Sequence, residues 1–396
     1  MFFRLVSIIF GRHEGELVKI VVSKVLLELK KKYMVVPDYL VGIDHHEEEM
    51  TKLLHVGSNG VHIVGIHGMG GIGKTTIAKV IYNKFSVHFD CCCFLENVRE
   101  VSKQYNGLFN LQIQLISEIR KHKCYDDITN VDEGINTIKD IVCKKKVLIV
   151  LDDVDEITQF DVIIGKRDWF CSGSKIIITT RNKDVLNFLE VDSTYEPPLM
   201  EPDQSLQLFC KHAFRRNSPL DDYDILSKSV VSTAAGLPLA LQIIGSSLFG
   251  KGKELWEETL KKKPHDDVQK VLRISYEALN VEQKKMFLDI ACLFIGEDKR
   301  LPFYMWDDCK FYPTLGIDVL QLKSLVKIED DKWLRMHDQL RDLGRQIVRE
   351  ERKLGERSRL FIHEEALDVL KKHMVISMCI MKFALLISIF LIPSFM

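Results

Sequence analysis

Residues 68–76 read Gly-Met-Gly-Gly-Ile-Gly-Lys-Thr-Thr, directly after an apolar run at 61–66. Glycines at this density let a backbone wrap a phosphate with its amides turned inward, and a following helix adds its positive N-terminus. Gly68, Gly70, Gly71, Ile72 and Gly73 build that cradle, which has the form of a Walker A loop. Lys74 then reaches the β- and γ-phosphates, and the Thr75 hydroxyl ligates Mg²⁺. A chance glycine-rich turn is the competing reading. The strand-like run before the loop and the amphipathic pattern after it argue against that.

Two further segments end in residues that such a site needs. Val-Leu-Ile-Val-Leu at 147–151 is a buried strand delivering Asp152 and Asp153 at its carboxyl end, the edge where open α/β sheets bind ligands. Asp152 is the Mg²⁺ acid of a Walker B motif, and Asp153 is placed to orient or deprotonate an attacking water. Both would otherwise be solvated strand-end acids. A third strand, at 175–180, carries Arg181 to the same edge, where a guanidinium can bond a γ-phosphate and report its presence. A lone strand-end arginine is ordinarily a surface charge, and only its position favours the sensor role. Asn182-Lys183-Asp184 has the wrong spacing for guanine reading, which favours adenine. Met336-His337-Asp338 says less by itself. Asp338 is placed to N-cap the helix carrying Leu340, Leu343 and Ile347, and His337 alone reads as packing or surface.

Composition excludes several classes. At 396 residues, 46% hydrophobic and 28% charged, the chain is ordinary globular protein with material for two or three domains. A net charge of −1 gives no bulk attraction to nucleic acid, and the local lysine runs read as solvated helix ends or loops. The ten cysteines include no Cys-x-x-Cys pair, and Cys91-Cys92-Cys93 reads as buried thiols in a strand, which suits a reducing cytosol. The apolar run at 5–10 is short for a signal peptide. Residues 374–396 have the length to span a bilayer but carry Lys382 mid-span, at about 2.5–3.5 kcal/mol. A membrane anchor and a non-native apolar tail both stay open there, the second favoured.

Those chemical residues need elements to hold them. Residues 15–30 have helical spacing, ended by Pro37 and Asp38. Strand-like runs then alternate with helical ones up to Pro197-Pro198, which implies right-handed crossovers and a mainly parallel sheet. Helices take over at about 203–260; one ends at Gly236 and the next opens with Pro238 in its first turn. After Pro264, helices with Met286, Phe287, Ile290, Ala291 and Phe294 on one face precede two short strands within 325–336, a winged-helix pattern. The expected fold is an α/β P-loop NTPase domain with a parallel sheet in three layers, followed by a small helical domain and a winged-helix domain. The expected boundaries are a linker helix at 1–36, the nucleotide-binding domain at 37–197, the helical domain at 198–263, the winged helix at 264–352, a linker at 353–373 and the tail at 374–396.

The order and wording of these segments resemble the NB-ARC region of plant nucleotide-binding leucine-rich-repeat immune receptors, in the subtype with an N-terminal TIR domain. The matching pieces are GMGGIGKTT (68–76), FLENVRE (94–100), KKVLIVLDDVDE (145–156), GSKIIITTR (173–181), GLPLAL (236–241), KMFLDIACLFIG (285–296) and MHD (336–338), over roughly 14–372. Asp155 and the FLDIACLFIG wording resemble the TIR subtype. The resemblance implies a switch bound to ADP at rest and to ATP with Mg²⁺ when active. Lys74, Thr75 and Thr76 would hold phosphates and metal, Asp152 and Asp153 would be the metal and water acids, and Arg181 the sensor. Pro238 would pack near the base, His337 would touch the β-phosphate of ADP, and Val41 and Gly42 would line the adenine pocket. Ile43 stands where many relatives outside the TIR subtype carry arginine.

Residues 1–13 are too short for a TIR domain, so NAD cleavage is not expected of this chain, and leucine-rich repeats are missing. The resemblance implies a cytoplasmic protein that assembles with other receptor chains and meets a pathogen effector or guarded host protein indirectly. Three rivals are a partner or decoy of full-length relatives, a turnover ATPase, and a winged-helix DNA regulator. The last needs a basic recognition face, yet the helix at 338–350 mixes Arg341, Arg345 and Arg349 with Asp342 and Glu350.

Overall fold

The structure is a computed structural model that describes residues 33–120, 128–261, 268–330, 332–351 and 357–371. The helix expected at 15–30 and the apolar tail at 374–396 lie outside the described residues. The described residues form two compact units: one holds those within 33–69 and 73–197, the other holds 70–72 and those within 198–371.

The first unit runs α1 (Ile43–Leu54), β1 (His62–His67), α2 (Lys74–Phe85), β2 (Cys91–Leu95), α3 (Val98–Ser102), α4 (Gly107–Arg120), α5 (Val131–Val142), β3 (Val147–Leu151), α6 (Ile157–Ile163), β4 (Lys175–Thr180), α7 (Lys183–Phe188) and β5 (Ser193–Tyr195). The strands make one sheet in the order β2-β3-β4-β1-β5, every pair parallel. Every residue of β3 and β4 is buried. Parallel strands covered on both faces read as unbroken apolar runs, because alternate side chains serve opposite layers. Val147, Ile149 and Leu151 join one core with α4, α5, α6 and α7, whereas Leu148 and Val150 join the other with α1 and α2. The sheet is therefore the middle of three layers. Cys91 and Cys93 are buried in the first core, as packing thiols.

The second unit continues with α8 (Pro202–Phe214), α9 (Asp224–Thr233), α10 (Pro238–Leu248), α11 (Lys253–Lys261), α12 (Val268–Glu277), α13 (Val281–Asp289), α14 (Arg300–Asp308), α15 (Pro313–Leu322), β6 (Lys327–Glu329), β7 (Trp333–Arg335), α16 (Asp338–Glu351) and α17 (His363–Lys371). The last of these lies within the stretch expected as a linker. The chain from α13 through the antiparallel β6–β7 hairpin to α16 is a winged helix. Its apolar core, with Phe287, Ile290, Trp306, Leu334 and Leu343, extends to Leu239 and Ile243 of α10. Beyond Asp289 the backbone widens into a π turn over Ile290–Phe294. Asp289 there is buried and takes hydrogen bonds from Trp306 Nε1 at 2.8 Å and Arg359 Nε at 2.7 Å.

Candidate functional site

The first unit gathers its polar residues at the carboxyl ends of β1, β3 and β4. Leu151 pairs with Ile178 and His67 with Thr180, so Gly68, Asp152 and Arg181 leave three adjacent strands at one edge. Gly68 and Gly73 hold φ of 140° and 102°, and Gly73 precedes α2 directly. A side chain at Gly73 would meet nothing within 4 Å; the left-handed backbone, not crowding, requires glycine there.

Lys74 is buried, and its ammonium donates to the Gly68 and Met69 carbonyls at 2.8 and 2.9 Å. Burial first, and then the neighbouring charge of Arg181, draws its pKa down to about 8. Asp152 is buried beside it. Its Oδ1 accepts from Thr75 Oγ1 at 2.8 Å and from Thr179 Oγ1 at 2.6 Å. Burial pushes the Asp152 carboxyl up to about 6, against the pull of those two hydroxyls. Such a group is stabilised as a carboxylate by a cation.

Asp153 sits in the left-handed region at φ 58°, where a residue other than glycine is strained. Its amide donates to Thr179 Oγ1 at 2.8 Å. Its carboxylate lies 2.9 Å from Arg99 Nε and 3.4 Å from Arg181 Nε. Among the described residues no donor reaches buried Oδ2 with hydrogen-bond geometry, so these contacts are ionic. The edge thus carries a glycine cradle, an ammonium, a hydroxyl–carboxylate pair and two guanidiniums. That set can bind a polyphosphate.

An NB-ARC domain model matches residues 43–219, and the winged-helix domain of Roq1-like disease resistance proteins matches residues 280–352. The chain carries an NB-ARC domain followed by a winged helix of that kind. Among its relatives are Disease resistance protein RPV1 of Vitis rotundifolia, 42% identical over 86% of this chain, and TMV resistance protein N of Nicotiana glutinosa, 36% identical over 91%. The chain spans 24% and 32% of the length of those two proteins. In fold it is similar to a STAND (Signal Transduction ATPase with Numerous Domains) protein with a tetratricopeptide repeat sensor from Pyrococcus horikoshii. The TM-score is 0.52 at 16% identity, over 86% of this chain and 46% of that one. The α/β unit is thus the nucleotide-binding part of an NB-ARC protein, with a winged helix after it.

The other residues named from the NB-ARC resemblance are distributed as follows. Thr76 is half-buried within the first turn of α2. Val41 and Gly42 immediately precede α1, with Gly42 at φ 71° as its N-cap. Gly70, Gly71 and buried Ile72 are counted with the second unit. Pro238 is the first residue of α10, where its missing N–H costs nothing. Asp338 is the first residue of α16 and His337 precedes it, with the Arg341 amide donating to the His337 carbonyl at 3.0 Å. The Gln339 amide donates to both Asp338 Oδ1 at 2.9 Å and His337 Nδ1 at 3.2 Å, so both side chains serve the first turn. Two residues of the site carried no assigned role in the sequence reading, Arg99 and Thr179. Both fall inside motif wording quoted above, and only the fold shows what they touch.

Proposed function

We propose that this chain is a nucleotide-dependent switch of plant immune signalling, holding ADP at rest and ATP with Mg²⁺ when active, and hydrolysing ATP slowly at most. The observation that supports it best is the Thr75–Asp152–Thr179 cluster beside buried Lys74 at one sheet edge. Thr75 Oγ1 and Asp152 fit Mg²⁺, a hard cation that takes a hydroxyl, a carboxylate and otherwise phosphate and water. Gly68, Gly73 and Lys74 would hold the phosphates. Val41, Gly42 and Pro238 enter as contacts of the base and His337 as a contact of the β-phosphate, through the family resemblance alone.

Nucleotide exchange moves such a switch only by the difference in affinity between its two forms. A swing from mostly resting to mostly active needs about 5.5 kcal/mol of that difference. Association with other resistance-receptor chains would supply part of it, in the cytoplasm. Engagement of Asp153 by two arginines favours a slow hydrolase over a turnover enzyme. The DNA-regulator reading loses support: Arg341 is buried beside Asp342, and Arg345 and Arg349 lie over the Phe361 ring. Among the described residues no helix is long and apolar enough to cross a membrane.

The test is the nucleotide released from freshly purified full chain, identified by mass spectrometry. Near-stoichiometric ADP from the wild type and none from Lys74→Ala is the expected result. An empty wild-type site after gentle purification, with no binding of added ADP, overturns the proposal.

A further inference from the structure

Asp153 meets Arg99 and Arg181 at once, and nothing in the switch reading uses Arg99. Its place is set by the loop that presents the acids. The amides of Val98 and Arg99 donate to the carbonyls of Asp152 and Asp153 at 2.8 and 3.1 Å. The same short helix is braced from the far side of that loop. Gln159 Nε2 bonds Ser102 Oγ at 2.9 Å and Asp155 Oδ1 at 2.6 Å, and Lys103 lies 3.2 Å from Asp155 Oδ2. The Arg99 side chain is only 17% exposed and also lies 4.0 Å from Glu100.

Three cations gather at this edge. The Lys74 ammonium bonds the Gly68 and Met69 carbonyls there, and Arg99 and Arg181 both reach the Asp153 carboxylate. All three cations therefore share the space where phosphates would lie. The hold of Asp153 on its arginines is ionic without hydrogen-bond geometry at Oδ2. A phosphoryl oxygen offers a guanidinium short, well-directed, charge-assisted bonds, so it competes favourably for such a cation.

We infer that Arg99 is a second arginine for the terminal phosphate of a nucleoside triphosphate, stored on Asp153 until that phosphate arrives. Arg99 and Arg181 together then distinguish triphosphate from diphosphate, and Asp153 serves chiefly as their counter-ion. The inference rests on the switch reading and assigns the selectivity of the same site.

The experiment measures Kd for ADP and for ATP with Mg²⁺ on the full chain by titration calorimetry. Arg99→Gln is expected to shift the ADP/ATP affinity ratio toward ADP by about tenfold, the worth of a charged hydrogen bond. Arg99→Lys keeps the charge but not the fork and recovers part of the shift. Asp153→Asn releases both arginines and moves the ratio the opposite way, toward ATP. The inference is overturned if the ratio stays put in Arg99→Gln, if both affinities fall equally there as in a structural defect, or if Asp153→Asn follows Arg99→Gln. Should Arg99→Gln not fold, the opposed signs of Arg99→Lys and Asp153→Asn decide it. A wild type that binds neither nucleotide fails the switch reading itself, whereas a wild type that binds both with an unmoved ratio fails only the role of Arg99.

Discussion

At the scale of single residues, two titrations make the site readable from solution. Asp152 favours its protonated form below about pH 6, well above the ordinary carboxylate range. Mg²⁺ and a proton compete for the same oxygens, so Mg²⁺ should strengthen ATP binding at pH 7.5 and lose that effect as pH falls through 6. Asp152→Asn should remove both the strengthening and its pH dependence, as titration calorimetry across that range would show. Lys74 has the opposite sense. Its folded-state value of about 8 means the ammonium sheds its proton above that pH, whereas phosphates would hold it charged. Nucleotide binding at pH 8.5 should therefore take up a proton, measurable as a dependence of the binding heat on buffer ionisation enthalpy. Lys74 and Asp152 were legible in the sequence because each is covalently adjacent to its own signature, the glycine loop or the end of an apolar strand. Arg99 and Thr179 were not. Their roles come from pairing between strands and from a loop contact remote in sequence, which spacing does not encode.

At the scale of elements, the strands were the easiest to read, since a sheet covered on both faces leaves uninterrupted Val, Ile and Leu. The amphipathic pattern after the glycine loop is a helix over Lys74–Phe85, because a glycine at positive φ starts it and an apolar stripe sustains it. The π turn after Asp289 was not legible. Residues Met286, Phe287, Ile290, Ala291 and Phe294 are all buried, and one buried face looks the same whether the backbone closes at four residues or five. That turn meets Gly344 of α16, where an added Cβ would sit 2.5 Å from the Ala291 Cβ. Alanine gains at most about 1 kcal/mol in helix propensity over glycine, and overpacking a rigid contact costs about 1–3 kcal/mol. Gly344→Ala should therefore lower the urea midpoint of the chain despite being the better helix former. An unchanged or raised midpoint would show that the two elements separate easily.

At the scale of the molecule, the order of parts was plain from motif order, and the α/β unit ends at Pro197. What motif order could not show is how the chain beyond α16 is fastened. Arg359 returns to buried Asp289 and to the Lys285 carbonyl at 2.9 Å, tying residues 357–362 to the winged-helix core. Removing one partner of a buried pair leaves a charge uncompensated and costs about 3–5 kcal/mol. Arg359→Ala should destabilise the second unit by that order in urea unfolding and speed amide exchange across 357–371. A variant that melts like the wild type would show the pair to be dispensable. The parallel register described above also sets which changes of length this protein tolerates. One residue added within β3 would carry its paired acids about 3.3 Å onward and turn them to the opposite face, away from the threonines that flank them. Insertions and deletions are therefore affordable in the turns at the amino ends of the strands and ruinous inside β1, β3 and β4.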